Sequence, residues 1–178
     1  MTPFFTIGHA TRPLEELIGL LRENGVARLA DVRSFPRSRT NPQFNIDTLP
    51  AALSAHGIGY RHFPALGGKR GRQKQVADDV NAFWDNDGFR NYADWALGEE
   101  FRAGLEELLA YGEGERAAVM CAETVWWRCH RRIVTDYLLA ADRDVWHIMG
   151  RDAVEPARVT PAARPGPHGT LVYPFTLA

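Results

Sequence analysis

The chain predicts a single α/β domain of three layers, a mostly parallel sheet of about five strands flanked by helices. Three observations carry this. Short runs of β-formers alternate with segments of helical apolar spacing. The first strand–helix–strand passage takes only about thirty residues, the length of one βαβ unit. Polar residues gather where the apolar runs stop, as they do at the carboxyl edge of a parallel sheet.

Taken in order, Phe4–Ile7 reads as the first strand, ending at Gly8 and His9. Leu14, Leu17, Ile18 and Leu21 mark a helix, with Pro13 at its start and Gly25 beyond its end. Val26–Val32 is the second strand, leaving through Asp31, Arg33 and Ser34 into a loop that runs to Asn45. Asp47 is the expected cap of a short helix through Leu49 and Leu53, stopped at Gly57. Ile58–Phe63 is a third strand, entering the basic glycine loop Gly67-Gly68-Lys69-Arg70-Gly71. Helical faces follow at Val76, Val80, Phe83 and Trp84, then at Phe89, Tyr92, Ala93 and Ala96, then at Phe101, Leu105, Leu108 and Leu109. Ala117–Cys121 is a buried strand, and Ile133, Val134, Tyr137, Leu138 and Ala141 give the helix after it. Asp144–Ile148 closes the sheet, so the α/β domain spans 1–150. The segment 151–178 holds five prolines and is expected to be an extended tail, with an edge strand at Thr170–Tyr173.

A length of 178 residues provides one real core, and 45% hydrophobic with 24% charged residues is ordinary globular composition. No apolar run approaches the roughly 20 residues of a membrane span, and the N-terminus lacks a signal pattern, so the cytoplasm is the expected compartment and no membrane partner is indicated. The two cysteines, eight positions apart, are expected to be reduced thiols. Net charge is −1, but Arg28–Lys74 carries nine basic and two acidic residues, and Asp78–Glu115 eleven acidic and two basic. Such a division gives either a positive mouth with a negative back or two blocks that neutralise each other.

The stretch Val119–Tyr137 is the centre of interest, because a buried strand passes into a helix through Cys121, Glu123, Arg128, Cys129, His130 and Arg131. A parallel sheet would bring these to one edge with His9, Asp31, Arg33, Arg61 and Lys69. Such a set suits anion binding with proton transfer. Arginine forks hold phosphate or carboxylate, and the free N–H groups of a helix start add positive potential. Glu123, His130 and Asp31 are the candidate catalytic groups; Arg33, His9, Arg61, Lys69, Arg131 and Cys129 the candidate substrate contacts. Sharper motifs fail. Cys121 to Arg128 is one residue longer than the phosphate-cradling loop of cysteine phosphatases and lacks its glycines. No Cys-x-x-Cys or His-x-x-x-His pattern marks a metal, and no cofactor is named by any motif. The glycine loop lacks the phosphate-loop order but suits a flexible basic flap.

The blocks Thr6-Ile7-Gly8-His9, Asp31-Val32-Arg33-Ser34-Phe35-Pro36, Asn41-Pro42-Gln43-Phe44-Asn45 and Tyr60–Gly68 resemble, in order, the family of unknown function DUF488. So do Phe89–Ala93, Met120-Cys121-Ala122-Glu123 with Cys129-His130-Arg131, and Val145–Ile148. The resemblance implies a Rossmann-like α/β domain over roughly residues 4 to 148 and assigns no activity. Trp126 and Trp127 stand where similar proteins often carry polar residues and proline. The set points first to an enzyme acting on a phosphorylated or nucleotide-like small molecule, with Glu123 as base or nucleophile, His130 as its proton partner and the arginines as clamp. A nucleic-acid-binding module is the alternative, drawn from Arg37, Arg39, Arg61, Lys69, Arg70, Arg72 and Lys74 with interleaved aromatics. A non-enzymatic ligand sensor is the third.

Overall fold

The computed structural model describes residues 1–175. Five parallel strands and one antiparallel edge strand form the sheet, in the order β3-β2-β4-β1-β5-β6. They are β1 (Phe4–Gly8), β2 (Arg28–Asp31), β3 (Gly59–His62), β4 (Ala117–Cys121), β5 (Val145–Gly150) and β6 (Ala153–Pro156). The helices are α1 (Leu14–Glu23), α2 (Leu49–Ser54), α3 (Asp87–Trp95), α4 (Glu99–Tyr111) and α5 (Arg131–Ala140). The outcome is the Rossmann-like three-layer arrangement the sequence predicts, with one strand more. Among the described residues no helix is long and apolar enough to cross a membrane.

β1 and β4 are buried along their whole length, as interior strands of a covered parallel sheet are. Their side chains alternate between two cores. Phe4, Ala117, Val119 and Cys121 face one with α3, α4 and α5; Phe5, Ile7, Ala118 and Met120 face the other with α1 and α2. The paired registers Gly8↔Cys121, Asp31↔Met120 and Asp31↔His62 bring four strand ends level. From there the chain leaves β2 toward α2 on one face and β4 toward α5 on the other. Neighbouring strands whose exits diverge leave a crevice between them, and that is where open α/β sheets take ligands.

The sequence and the structure part at three places. No helix forms over Val76–Trp84, which runs in successive tight turns. Asn81 and Phe83 are committed elsewhere. The Asn81 carboxamide accepts from Tyr173 N–H and donates to Asp94, and Phe83 N–H donates to the Tyr173 carbonyl. Asp47 does not cap α2; it pairs with Arg37, and Thr48 occupies the cap position. Nor is the tail merely extended. It supplies the sheet's edge strand β6 against β5, then a small hairpin of β7 (Arg164–Pro165) and β8 (Leu171–Val172), so the strand expected at 170–173 forms but pairs with β7 instead of the main sheet. Tyr173 is fully buried in the α3–α5 core, its hydroxyl donating to the Asp136 carboxylate at 2.9 Å.

Candidate functional site

A cleft of about 420 Å³ opens at the carboxyl edge between β2 and β4. Arg33, Ser34 and Phe35 come to it from β2, and Cys121, Ala122 and Glu123 from β4. Gly68 and Lys69 come from the glycine loop, Phe89 from α3, and Arg128, Cys129 and His130 from the approach to α5. A second recess of about 280 Å³ adjoins it, sharing Arg33, Phe35, Ala122 and Glu123 and adding His9 and Arg37.

Asp31 and Arg33 form a fully buried fork. Arg33 Nε donates to Asp31 Oδ1 at 2.9 Å and Nη2 to Oδ2 at 2.6 Å. The Tyr60 hydroxyl donates to the same Oδ2 at 2.5 Å, Arg33 Nη2 also reaches the Phe44 carbonyl, and Nη1 meets His9 Nε2 at 3.2 Å. Burial works against the Arg33 charge, but Asp31 more than restores it and the guanidinium pKa stays raised. Four of its five N–H groups are thus engaged, leaving one on Nη1 without a partner among the described residues. Asp31 has no free face: it positions Arg33. His9 is held too, giving its Nδ1 proton to the Ala10 carbonyl and stacking on Phe44 at 4.4 Å. Burial lowers its pKa to about 4, so it is neutral and lends Nε2 to Arg33.

His130 is likewise neutral near pH 7, lowered to about 4 by burial. Its Nε2 lies 2.7 Å from the Val32 carbonyl, so the proton is there and Nδ1 is the acceptor. Nδ1 lies against Gly68, where an added Cβ would come within 2.3 Å of it. Gly67 is pressed against Ser34 in the same way, Ser34 Oγ accepts from Lys69 N–H, and Arg70 stacks over Trp95 at 4.0 Å. The glycines therefore allow a tight seat for a pinned loop rather than a loose flap. Glu123 projects an exposed carboxylate at the rim while its backbone serves the interior. Among the described residues no hydrogen bond joins that carboxylate to His130.

Arg131 is 1% exposed and is not among the residues lining the cleft. Its guanidinium donates to Cys129 Sγ at 3.3 Å, Thr6 Oγ1 at 3.3 Å and the Glu123 carbonyl at 2.9 Å. The first-turn N–H of Arg131 also reaches Cys129 Sγ at 3.4 Å. Burial opposes ionisation of Cys129, but its bonds to Cys121 and Arg131 outweigh that and bring the thiol from 9.0 down to about 6. Burial pushes the neighbouring Cys121 thiol well up. Arg61 is the residue the fold sends elsewhere: it pairs with Glu107 on α4 and covers Phe63, outside the cleft.

Sequence spacing did not single out Phe89 or Phe35 as cleft walls. Phe89 arrives on a helix from the acidic block, a convergence only the fold makes. His147, the polar residue of the last parallel strand β5, does not join the cleft lining. It is buried beneath Trp126, stacked at 4.4 Å, with Nδ1 on Thr6 Oγ1 and no partner for Nε2 among the described residues. Among the described residues no cluster of three or more metal-ligating side chains occurs.

A covered, mostly parallel sheet with a cleft at diverging strand exits defines a Rossmann-like α/β protein with a carboxyl-edge cleft. Within that class the chain belongs to the family described as domain of unknown function DUF488, whose model matches residues 13–138. No curated protein and no solved structure matches it.

Proposed function

We propose that the protein is an enzyme acting on a small phosphorylated or nucleotide-like anion bound in the β2–β4 cleft. The observation that carries this is one surface holding the spare Arg33 N–H, Lys69 and Arg128 beside an unprotonated His130 Nδ1 and the free Glu123 carboxylate. The cations would hold the anion, Phe35 and Phe89 would offer flat walls to a ring, and Glu123 with His130 would handle the proton. We assign it to the cytoplasm, in keeping with two unpaired cysteines.

A nucleic-acid groove has less support, because the basic block is partly neutralised. Arg37 pairs with Asp47, Arg61 with Glu107 and Arg72 with Asp78. The test is a binding and turnover screen of phosphorylated metabolites, with product analysis to separate an enzyme from a sensor. Exchange of Lys69 and Arg128 for methionine should weaken binding by about 10- to 100-fold. Glu123→Gln should leave binding and fold intact while abolishing turnover. Undiminished affinity in the double variant would remove the anion clamp, and undiminished turnover in Glu123→Gln would remove that carboxylate from the chemistry.

A further inference from the structure

The geometry points to a second activity in the floor of the same cleft, independent of the anion reading: Cys129 and Cys121 form a redox-active dithiol that reduces small hydroperoxides. Two unpaired thiols meet there, Sγ to Sγ, at 3.0 Å. They are not equivalent. Cys129 Sγ accepts from both the backbone N–H and the Nε–H of Arg131, whereas Cys121 accepts a single N–H, from Glu123 at 3.3 Å. The donors on Cys129 favour its anion, and Cys121 is then the thiol that donates to it.

Arg131 supplies the independent observation. A guanidinium this deeply buried is costly unless an anion balances it. Among the described residues no carboxylate is in salt-bridge reach of Arg131. Its hydrogen-bond partners are a hydroxyl, a carbonyl and the Cys129 sulfur, with the Cys121 sulfur close by, and only a thiol of this pair can carry negative charge. A packed, inert thiol would leave that cation unbalanced. Both sulfurs belong to residues lining the cleft, so a molecule of a few atoms can reach them although each cysteine is buried.

The chemistry balances with a hydroperoxide as oxidant. The Cys129 thiolate attacks the outer peroxide oxygen, the O–O bond breaks, and alkoxide or hydroxide leaves, taking a proton to become alcohol or water. Cys129 is now a sulfenic acid. The Cys121 sulfur attacks it, the S–S bond forms, and the hydroxyl leaves with the Cys121 proton as water. An external dithiol, oxidised in turn to its disulfide, returns both cysteines to the reduced state.

The test is to treat the full chain with hydrogen peroxide at pH 7 and follow intact mass and thiol count. The wild-type protein should lose about 2 Da and both thiols, and dithiothreitol should restore them. Cys121→Ser should stop at a sulfenic acid on Cys129 that dimedone traps. Cys129→Ser should react at least about tenfold more slowly. Cys121→Ala and Cys129→Ala, checked for native circular dichroism, guard against a serine hydroxyl upsetting the core. Overoxidation of wild type without disulfide formation, dimedone on Cys121, or an undiminished rate in folded Cys129 variants would overturn the assignment.

Discussion

At the scale of single residues, the site is a set of side chains made immobile by burial. Asp31→Asn leaves Arg33 buried without its counter-charge, so it should cost about 3–5 kcal/mol in urea unfolding and weaken ligand binding together. A loss below about 1 kcal/mol would mean the pair is solvated. Gly68→Ala pushes a methyl into His130 and should destabilise by about 1–3 kcal/mol, whereas Gly71→Ala, with open space around it, should be near neutral. That contrast shows what the sequence can and cannot reveal. Composition marks the glycine loop as special, but the reason for Gly68 is His130, far away in the chain, and no local pattern encodes that approach. Asp31 and Arg33 could be named from the sequence because they follow a recognisable strand. Arg61 follows an equally recognisable one, and it went astray because β3 is the outermost strand of the order and its side chain turns to α4.

At the scale of elements, the strands and most helices were legible because apolar period and flanking prolines or glycines agree with each other. The stretch 76–84 failed for the opposite reason: its apolar spacing is helical, but its hydrogen-bonding groups are claimed by a tail some ninety residues later. Periodicity reports side chains, and here the competition was for the backbone. The tail is correspondingly structural. Tyr173→Phe removes the hydroxyl bonded to the buried Asp136 carboxylate, and should cost about 1.5–3 kcal/mol by urea denaturation. Phe175→Ala, at an exposed position, should cost under about 0.5 kcal/mol.

At the scale of the molecule, acid should be the weak point. Burial lowers His9, His130 and His147 each from 6.5 to about 4. The unfolded chain therefore binds more protons than the folded one in that window, and the stability these histidines contribute, full above about 6.5, is lost as pH falls toward 4. Chemical denaturation at pH 7, 5.5 and 4.5 should show the midpoint falling throughout, and His147→Gln should flatten the slope; a midpoint independent of pH would contradict buried neutral imidazoles. The strand order carries a consequence for how the chain is made. β1 and β2 never touch, because β4, more than a hundred residues after β1, lies between them. During synthesis β1 and the β2–β3 pair emerge as two pieces awaiting a wedge, so residues 1–115 alone should remain sticky and protease-sensitive. The cooperative fold is expected to lock only when the ribosome has released β4, which brings Cys121 with it.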